Sequence, residues 1–536
     1  MLSLLFLLPS FLLLISALGI ALLRQFRPSV GYAWIWASTA ALLSLGLMVY
    51  LRWQLPVEWA AERWQPFSSA TSLPVFRLNE VSWPYALSLA ALLLAVLWSD
   101  SARLEGAAGP KNWILSLATA ALGLVAVMAG SPLTLILVWT SVDLLELVVI
   151  LSTTAGRQFG EENVIAFSVR VSGTLLVLAA ILYSTAQGIP FTFDPIPSEL
   201  AVFMLLAVGL RLGVLPLNLP YINEVYVWRG FGNLLRLVSP ASSLVILGSM
   251  PVEAVPESWR SLLLVLTALA ALYGGAMWLA TNPTLNGRPY WVISLAALAV
   301  ASVVSGAPKA SIAWGVALLL SGSVIFLFSA QRREIMFIPL VGLLGLVGLP
   351  FTPVAGGWVG VIRQPMDGFS ILFMLAVLLL FWGYLRRAFV PRDELYRMER
   401  WVHTVYPAGL LLLVVSQWFI ALMTWRENLI PQGWWASLVV VLVGVAVGAL
   451  VYAHRVELTF ESLRDRWVMV FARRAGHFLA ELFRLNWLYR MLGWVYAGVQ
   501  WFVHLLTAIF EGDGGVLWAL VMLAVLISVL TAGGAP

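Results

Sequence analysis

Long apolar runs, broken at intervals by glycine, proline and arginine, dominate this chain from end to end. A membrane-crossing helix needs about 20 consecutive apolar residues. Windows of that size predict about sixteen such helices, starting near residues 2, 30, 82, 112, 131, 163, 198, 231, 259, 289, 309, 335, 368, 403, 434 and 514. The pattern is that of an all-α polytopic membrane protein. The run at 2–23 has no basic stretch before it and no small-residue cleavage site, so it reads as a first transmembrane helix and not a removed signal peptide. The connection at 52–80 carries Trp53, Trp59 and Trp64 among mixed charges and reads as an interfacial segment.

Two of these spans are interrupted. One reads Gly209-Leu-Arg211-Leu-Gly213-Val-Leu-Pro216-Leu-Asn-Leu-Pro220; the other reads Gly348-Leu-Pro350-Phe-Thr352-Pro353-Val-Ala-Gly356-Gly357-Trp358. Proline removes a backbone donor and collides with the preceding turn. At membrane depth the freed carbonyls must be covered by protein or face a watery cavity. A pair of interrupted helices in corresponding halves points to a transport site. The stretch 454–512 differs again. Arginines outnumber acidic residues between His454 and Arg490, and Leu458, Phe460, Leu463, Trp467, Val470 and Phe471 recur at helical spacing. It reads as an amphipathic helix lying along the membrane, or docked on another subunit, or both.

Composition sharpens this picture. The chain is 61% hydrophobic and only 11% charged, with a mean hydropathy of +0.93, against about 25% charged in soluble domains. It has no cysteine, which excludes disulfides and thiolate metal sites. All four histidines lie at 403 or beyond, so the first 402 residues hold no imidazole relay. The net charge of +5 says nothing of nucleic acid, because arginines in loops set topology. Placing Arg24, Arg27, Arg103, Lys111, Arg157, Arg288, Arg332, Arg333 and the group 386–400 in the cytoplasm puts both termini outside. No nucleotide loop, nucleophile constellation, cofactor site or metal-ligand set is visible.

The candidate functional residues are the charges inside apolar runs, which are expensive there and functional by default. They are Asp143 and Glu146, one helical turn apart, with Arg211 and the accessory residues Arg170, Arg236, Ser242 and Ser243. The chain's only lysines, Lys111 and Lys309, both lie outside the middle of such runs. An arginine does not deprotonate in proteins, so it cannot pass a proton on.

With these features in this order, the chain resembles the antiporter-like membrane subunits of respiratory complex I, Mrp cation/proton antiporters and membrane-bound hydrogenases. The segment from Gly348 to Gly357 is similar to that family's broken twelfth helix, and Arg211-Leu-Gly-Val-Leu-Pro216 to its broken seventh, where a lysine precedes the proline. The run 135–151 is similar to its fifth helix, where Asp143 stands for a glutamate, and the tail resembles that of the largest such subunit, with its lateral helix and anchoring span. The resemblance implies three N-terminal helices (1–111), two inverted five-helix repeats (112–249 and 259–390) with broken helices 7 and 12, helices 14 and 15 (391–453), a lateral helix (454–512) and an anchor (513–536). Pro216, Pro220, Gly348, Pro350 and Pro353 mark the breaks. It further implies a non-catalytic subunit of a proton- or cation-translocating complex in a bacterial or archaeal cytoplasmic membrane. Its partners would be other membrane subunits and, in an NADH:quinone oxidoreductase-like complex, a redox arm.

The sequence also departs from that pattern. Arg211 stands where the family has its seventh-helix lysine, and with a carboxylate it reads as a permanently ionised pair. The eighth-helix lysine has no match beyond Ser239, Ser242, Ser243 and, nearer the helix start, Arg236. The tenth-helix position is apolar, the eleventh helix offers Ser321 and Ser323, and Trp358 falls near the twelfth-helix charge. The expected second repeat is thus left without a titratable group at membrane depth. Three readings follow: an ion-translocating subunit using Asp143, Glu146 and Arg211; a non-conducting scaffold of the same family; and a stand-alone anion transporter built on Arg170, Arg211 and Arg236.

Overall fold

A computed structural model describes most of residues 2–453, apart from short connecting segments, and a few helical positions beyond 493. The chain divides into two units, Met1–Glu457 and Leu458–Pro536. The expected lateral and anchor helices fall largely outside the described residues.

Helices begin close to each of the first fifteen expected starts. In chain order they are α1 (Leu8–Phe26), α2 (Ala33–Leu51), α3 (Ser82–Ser99), α4 (Pro110–Val127), α5 (Pro132–Thr153), α6 (Arg157–Gln187), α7 (Ser198–Leu212) and α8 (Arg229–Gly248). There follow α9 (Glu257–Ala280), α10 (Arg288–Val304), α11 (Ala310–Leu327), α12 (Phe337–Val347), the single turn α13 (Trp358–Val361), α14 (Gly368–Ala388), α15 (Val402–Thr424) and α16 (Trp434–Ala453). Among the described residues twelve helices are long and apolar enough to cross a membrane.

The 52–80 connection, expected as an interfacial segment, contains strand. It folds into an antiparallel pair, β1 (Val57–Ala60) with β2 (Val75–Leu78), in which Glu58 faces Arg77 and Trp59 faces Phe76. Alternation over four residues, Val-Glu-Trp-Ala, is a strand period too short to stand out beside the helical runs. A second, two-residue parallel pairing joins β3 (Ala330–Gln331) to β4 (Asp393–Glu394).

The core is built on α3, α8, α10 and α11, which are buried on nearly every face. Around them α1, α6, α9, α14 and α16 present Leu, Ile and Val outward. This inversion of soluble-protein patterning is expected where the solvent is lipid.

Both interruptions are present in the backbone, and they begin alike. α7 stops at Gly213 (φ 75°, ψ 23°) and α12 at Gly348 (φ 77°, ψ 28°), each in the left-handed conformation that glycine adopts without penalty. Pro216 and Pro220 lie in the non-helical stretch beyond α7, where the Val214 and Leu215 amides both donate to the Gly209 carbonyl. Pro350 and Pro353 lie between α12 and α13. At Gly348 the position a methyl group would take is filled by the Trp358 indole. Gly348→Ala should therefore lower thermal stability in detergent by more than the about 1 kcal/mol of a left-handed alanine. Gly46→Ala, in α2 with open space around it, should be neutral or slightly stabilising. Equal melting of the two variants would contradict this account of the break.

Candidate functional site: a buried cluster of five charges

Four helices bring five charged side chains together. Asp143 and Glu146 come from α5, Arg170 from α6, Arg211 from α7 and Arg236 from α8. All five are 5% exposed or less. The three-residue spacing on α5 puts both carboxylates on one face, and the arginines are delivered by α6 and α8, which pack on α5, and by α7, which packs on α6 and α8.

Arg211 grips Asp143 with two parallel bonds, Nη1 to Oδ2 at 2.5 Å and Nη2 to Oδ1 at 3.0 Å. This fork geometry is the strongest form of guanidinium–carboxylate pairing. Arg236 Nη1 donates to Glu146 Oε1. Arg170 bridges the two halves: its Nη1 donates to Glu146 Oε2 at 2.5 Å, and its Nε lies 3.6 Å from Asp143 Oδ1. Each carboxylate thus faces two guanidinium groups. Among these five residues one positive charge is in excess.

The surroundings hold the arginines in place. Arg211 also donates to Ser239 Oγ (3.2 Å), Ser243 Oγ (3.3 Å), Thr174 Oγ1 (3.2 Å) and the Arg170 carbonyl (3.4 Å). Its guanidinium stacks 4.2 Å from the Trp139 ring, and that of Arg236 lies 4.5 Å from the Tyr221 ring. Arg211 occupies the last turn of α7, where a helix's carbonyl end favours a cation. Gly173 on α6 makes room: a methyl group there would strike the Arg211 stem and the Ala207 carbonyl.

Every one of Asp143, Glu146, Arg170, Arg211 and Arg236 belongs to the cluster, as does Ser243. Ser243 and Ser242 both donate to the Ser239 carbonyl, but it is Ser243 Oγ that accepts from Arg211, whereas at Ser242 the Trp139 indole donates to the backbone carbonyl. Asp143 and Glu146 each bind an arginine of their own and share Arg170. Thr174, Trp139 and Tyr221 were missed because nothing in the one-dimensional pattern separates them from ordinary lining residues.

The segment 259–390 is not free of buried charge. Arg288 and Arg387 are each 1% exposed. They sit at helix ends, Arg288 donating to the Gly232 carbonyl and Arg387 to the Thr281 and Gly383 carbonyls. Further inside, the polar groups are neutral. Ser294 donates to the Ala271 carbonyl, Ser321 to Gln417 Oε1, and Asn233 of α8 to Ser323. No group of three or more His, Asp or Glu residues able to hold a metal ion occurs among the described residues.

No family model matches the sequence, and no curated protein matches it. Solved structures do match its fold. A chain of the membrane-bound sulfane sulfur reductase, an archaeal respiratory membrane complex, superposes with a TM-score of 0.65 at 13% identity over 96% of this chain and 99% of that one. A chain of the Mrp complex from Dietzia sp. DQ12-45-1b gives 0.69 at 16% identity, over 99% of this chain but 63% of the longer Mrp chain. A chain of respiratory complex I from Thermus thermophilus gives 0.59 at 18% identity, over 81% of this chain and 99% of that one. The expected polytopic helical fold is therefore shared with chains of all three complexes.

Removing one partner of a buried ion pair strands the other and costs about 3–5 kcal/mol, whereas removing both is far milder. Asp143→Asn should sharply reduce thermal stability and the folded yield. Adding Arg211→Gln to it should restore most of the loss. Melting curves of the two singles and the double make the test, and strictly additive losses would contradict the pairing.

Proposed function

We propose that this chain is an antiporter-like membrane subunit of a multisubunit cation-translocating assembly, in which its buried charge cluster is a fixed, ion-paired element and not a proton relay. The observation that carries this is the double clamp on each carboxylate: Asp143 by Arg211 and Arg170, Glu146 by Arg236 and Arg170. In the family that the chain resembles, a buried lysine exchanges its proton as a neighbouring carboxylate changes charge, which needs an amine whose affinity for protons desolvation has lowered. Arginine at that place keeps its proton through any such cycle. The cluster ties α5, α6, α7 and α8 together at a depth where an unpaired charge would be costly, so it holds the expected first repeat rigid.

The fold shared with chains of three membrane complexes supports the assembly part of this reading. On it, the partners are other membrane subunits in the cytoplasmic membrane of a bacterium or archaeon, and both termini lie outside. Residues 454–512 would run along the membrane beneath neighbouring subunits, anchored by 513–536. Redox groups, where the assembly has them, would belong to other chains.

A second reading keeps Asp143 as an ion-handling group. It is favoured by a cavity of about 180 Å³ between α5 and α6, lined by Thr140, Asp143 and Thr174 with Ile136, Phe167 and Val171. This is room for water beside a carboxylate.

Extraction from the native membrane in mild detergent, followed by mass spectrometry of what co-purifies, tests the assembly. The expected result is stoichiometric recovery of other polytopic chains. Companion iron–sulfur or quinone-reducing chains would identify a redox-driven complex, and small membrane chains alone a Mrp-type one. Recovery as a stable lone monomer would overturn the proposal and favour an anion transporter built on the three arginines.

A further inference from the structure

Four tryptophans, Trp278, Trp291, Trp314 and Trp358, are among the largest fully buried side chains of the molecule, and all belong to 259–390. They share a way of docking. Each indole N–H donates to a backbone carbonyl on another element: Trp278 to Leu380 (3.3 Å), Trp291 to Leu318 (3.0 Å), Trp314 to Gly357 (3.0 Å) and Trp358 to Val347 (3.1 Å). Each ring also lies on a glycine, Gly383, Gly322, Gly357 and Gly348 respectively, where a methyl group would collide with it. Glycine lets a wide aromatic plate lie directly against a neighbouring backbone, leaving no gap for water.

The plates form two layers. Trp278 and Trp291, with ring centroids 5.1 Å apart, pack with Phe326 and Tyr384 where α9 ends and α10 begins. Trp314 and Trp358, 5.9 Å apart, pack at the break between α12 and α13. Phe326 and Trp314 lie on the same helix, α11, and its rise separates the two layers by roughly 18 Å. The second layer sits where chemistry would otherwise be expected. An interrupted helix frees carbonyls, and at membrane depth these either line a watery cavity and coordinate ions or are covered by protein. Here the Val347 and Gly357 carbonyls, on either side of the interruption, both accept from indoles.

We propose that these four indoles form a two-layer septum that keeps the expected second repeat dry and impermeable to ions, so that any charge this chain moves must pass through 112–249. The proposal rests on the reading of the chain as an antiporter-like subunit and deepens it. The interruption in 259–390 keeps the backbone of a transport site but is filled by carbon and capped by indole N–H groups.

The native chain has no cysteine, so a single introduced thiol is the one labelled position when this chain is isolated after the reaction. Ser321 lies on α11 between the layers and is fully buried, whereas Lys309 caps the same helix at the surface. Ser321→Cys and Lys309→Cys would each be made in the full chain, in its native membrane, and exposed to a small charged methanethiosulfonate. Carrying a charge into a dry interior is costly, so Ser321→Cys should react at least about a hundredfold more slowly than Lys309→Cys. Trp314→Ala with Trp358→Ala should bring the two rates closer by about tenfold or more. Reaction of Ser321→Cys at the rate of Lys309→Cys with all four indoles in place would overturn the septum. So would unchanged protection in the double alanine variant. Should that variant fail to assemble, Trp358→Phe keeps a smaller aromatic ring and removes both the donor to Val347 and the part of the plate that lies on Gly348. Labelling must then rise as the freed carbonyl admits water, and protection equal to the parent overturns the proposal. The labelling does not depend on what co-purifies, so failure of the septum and failure of the subunit reading are told apart.

Discussion

The cost of an unpaired charge at membrane depth governs this structure. Five ionised side chains meet among α5, α6, α7 and α8, and none could stay there alone. Pairing turns one face of α5 toward the arginines of α6, α7 and α8. It also explains the glycine at 173, where the Arg211 stem crosses α6. Arg211 is held by Asp143, two serines, a threonine and a tryptophan ring together, a number of contacts suited to immobility. A group that shuttles protons needs an alternative state of comparable energy, and nothing around Arg211 offers one.

The two interruptions show how one backbone device serves two ends. Both start with a left-handed glycine. Beside the first, the chain gathers charge. In the second, it gathers indoles: Trp358 donates to the Val347 carbonyl at the end of α12 and Trp314 to the Gly357 carbonyl at the start of α13, while Gln417 donates to the Gly345 carbonyl. The two interruptions differ in polarity although each begins at a left-handed glycine.

Much of this was legible in the sequence. Apolar windows of span length located the helices because lipid leaves no other way to satisfy a backbone. The five charges stood out because apolar runs exclude charge. Arg170 as a bridge to both carboxylates was not legible, since it follows from how α6 packs on α5 and not from spacing along either helix. Nor was it legible that Ser243 Oγ accepts from Arg211, since its hydroxyl and that of Ser242 both donate back to the Ser239 carbonyl. Arg288 and Arg387 read as loop arginines because they sit at helix ends, and their burial comes from neighbours distant in the chain. The strand pair 57–60 with 75–78 was hidden by the brevity of each strand.

The central claim is that the cluster supports the fold through paired charge and does not carry ions. The most direct measurement is coupled ion flux, per assembled complex in native membranes, with Asp143→Asn and Arg211→Gln introduced together so that the pair is removed and no charge is stranded. The account expects flux close to that of the parent. Full assembly with flux abolished would contradict it and would make Asp143 a group on the ion's path.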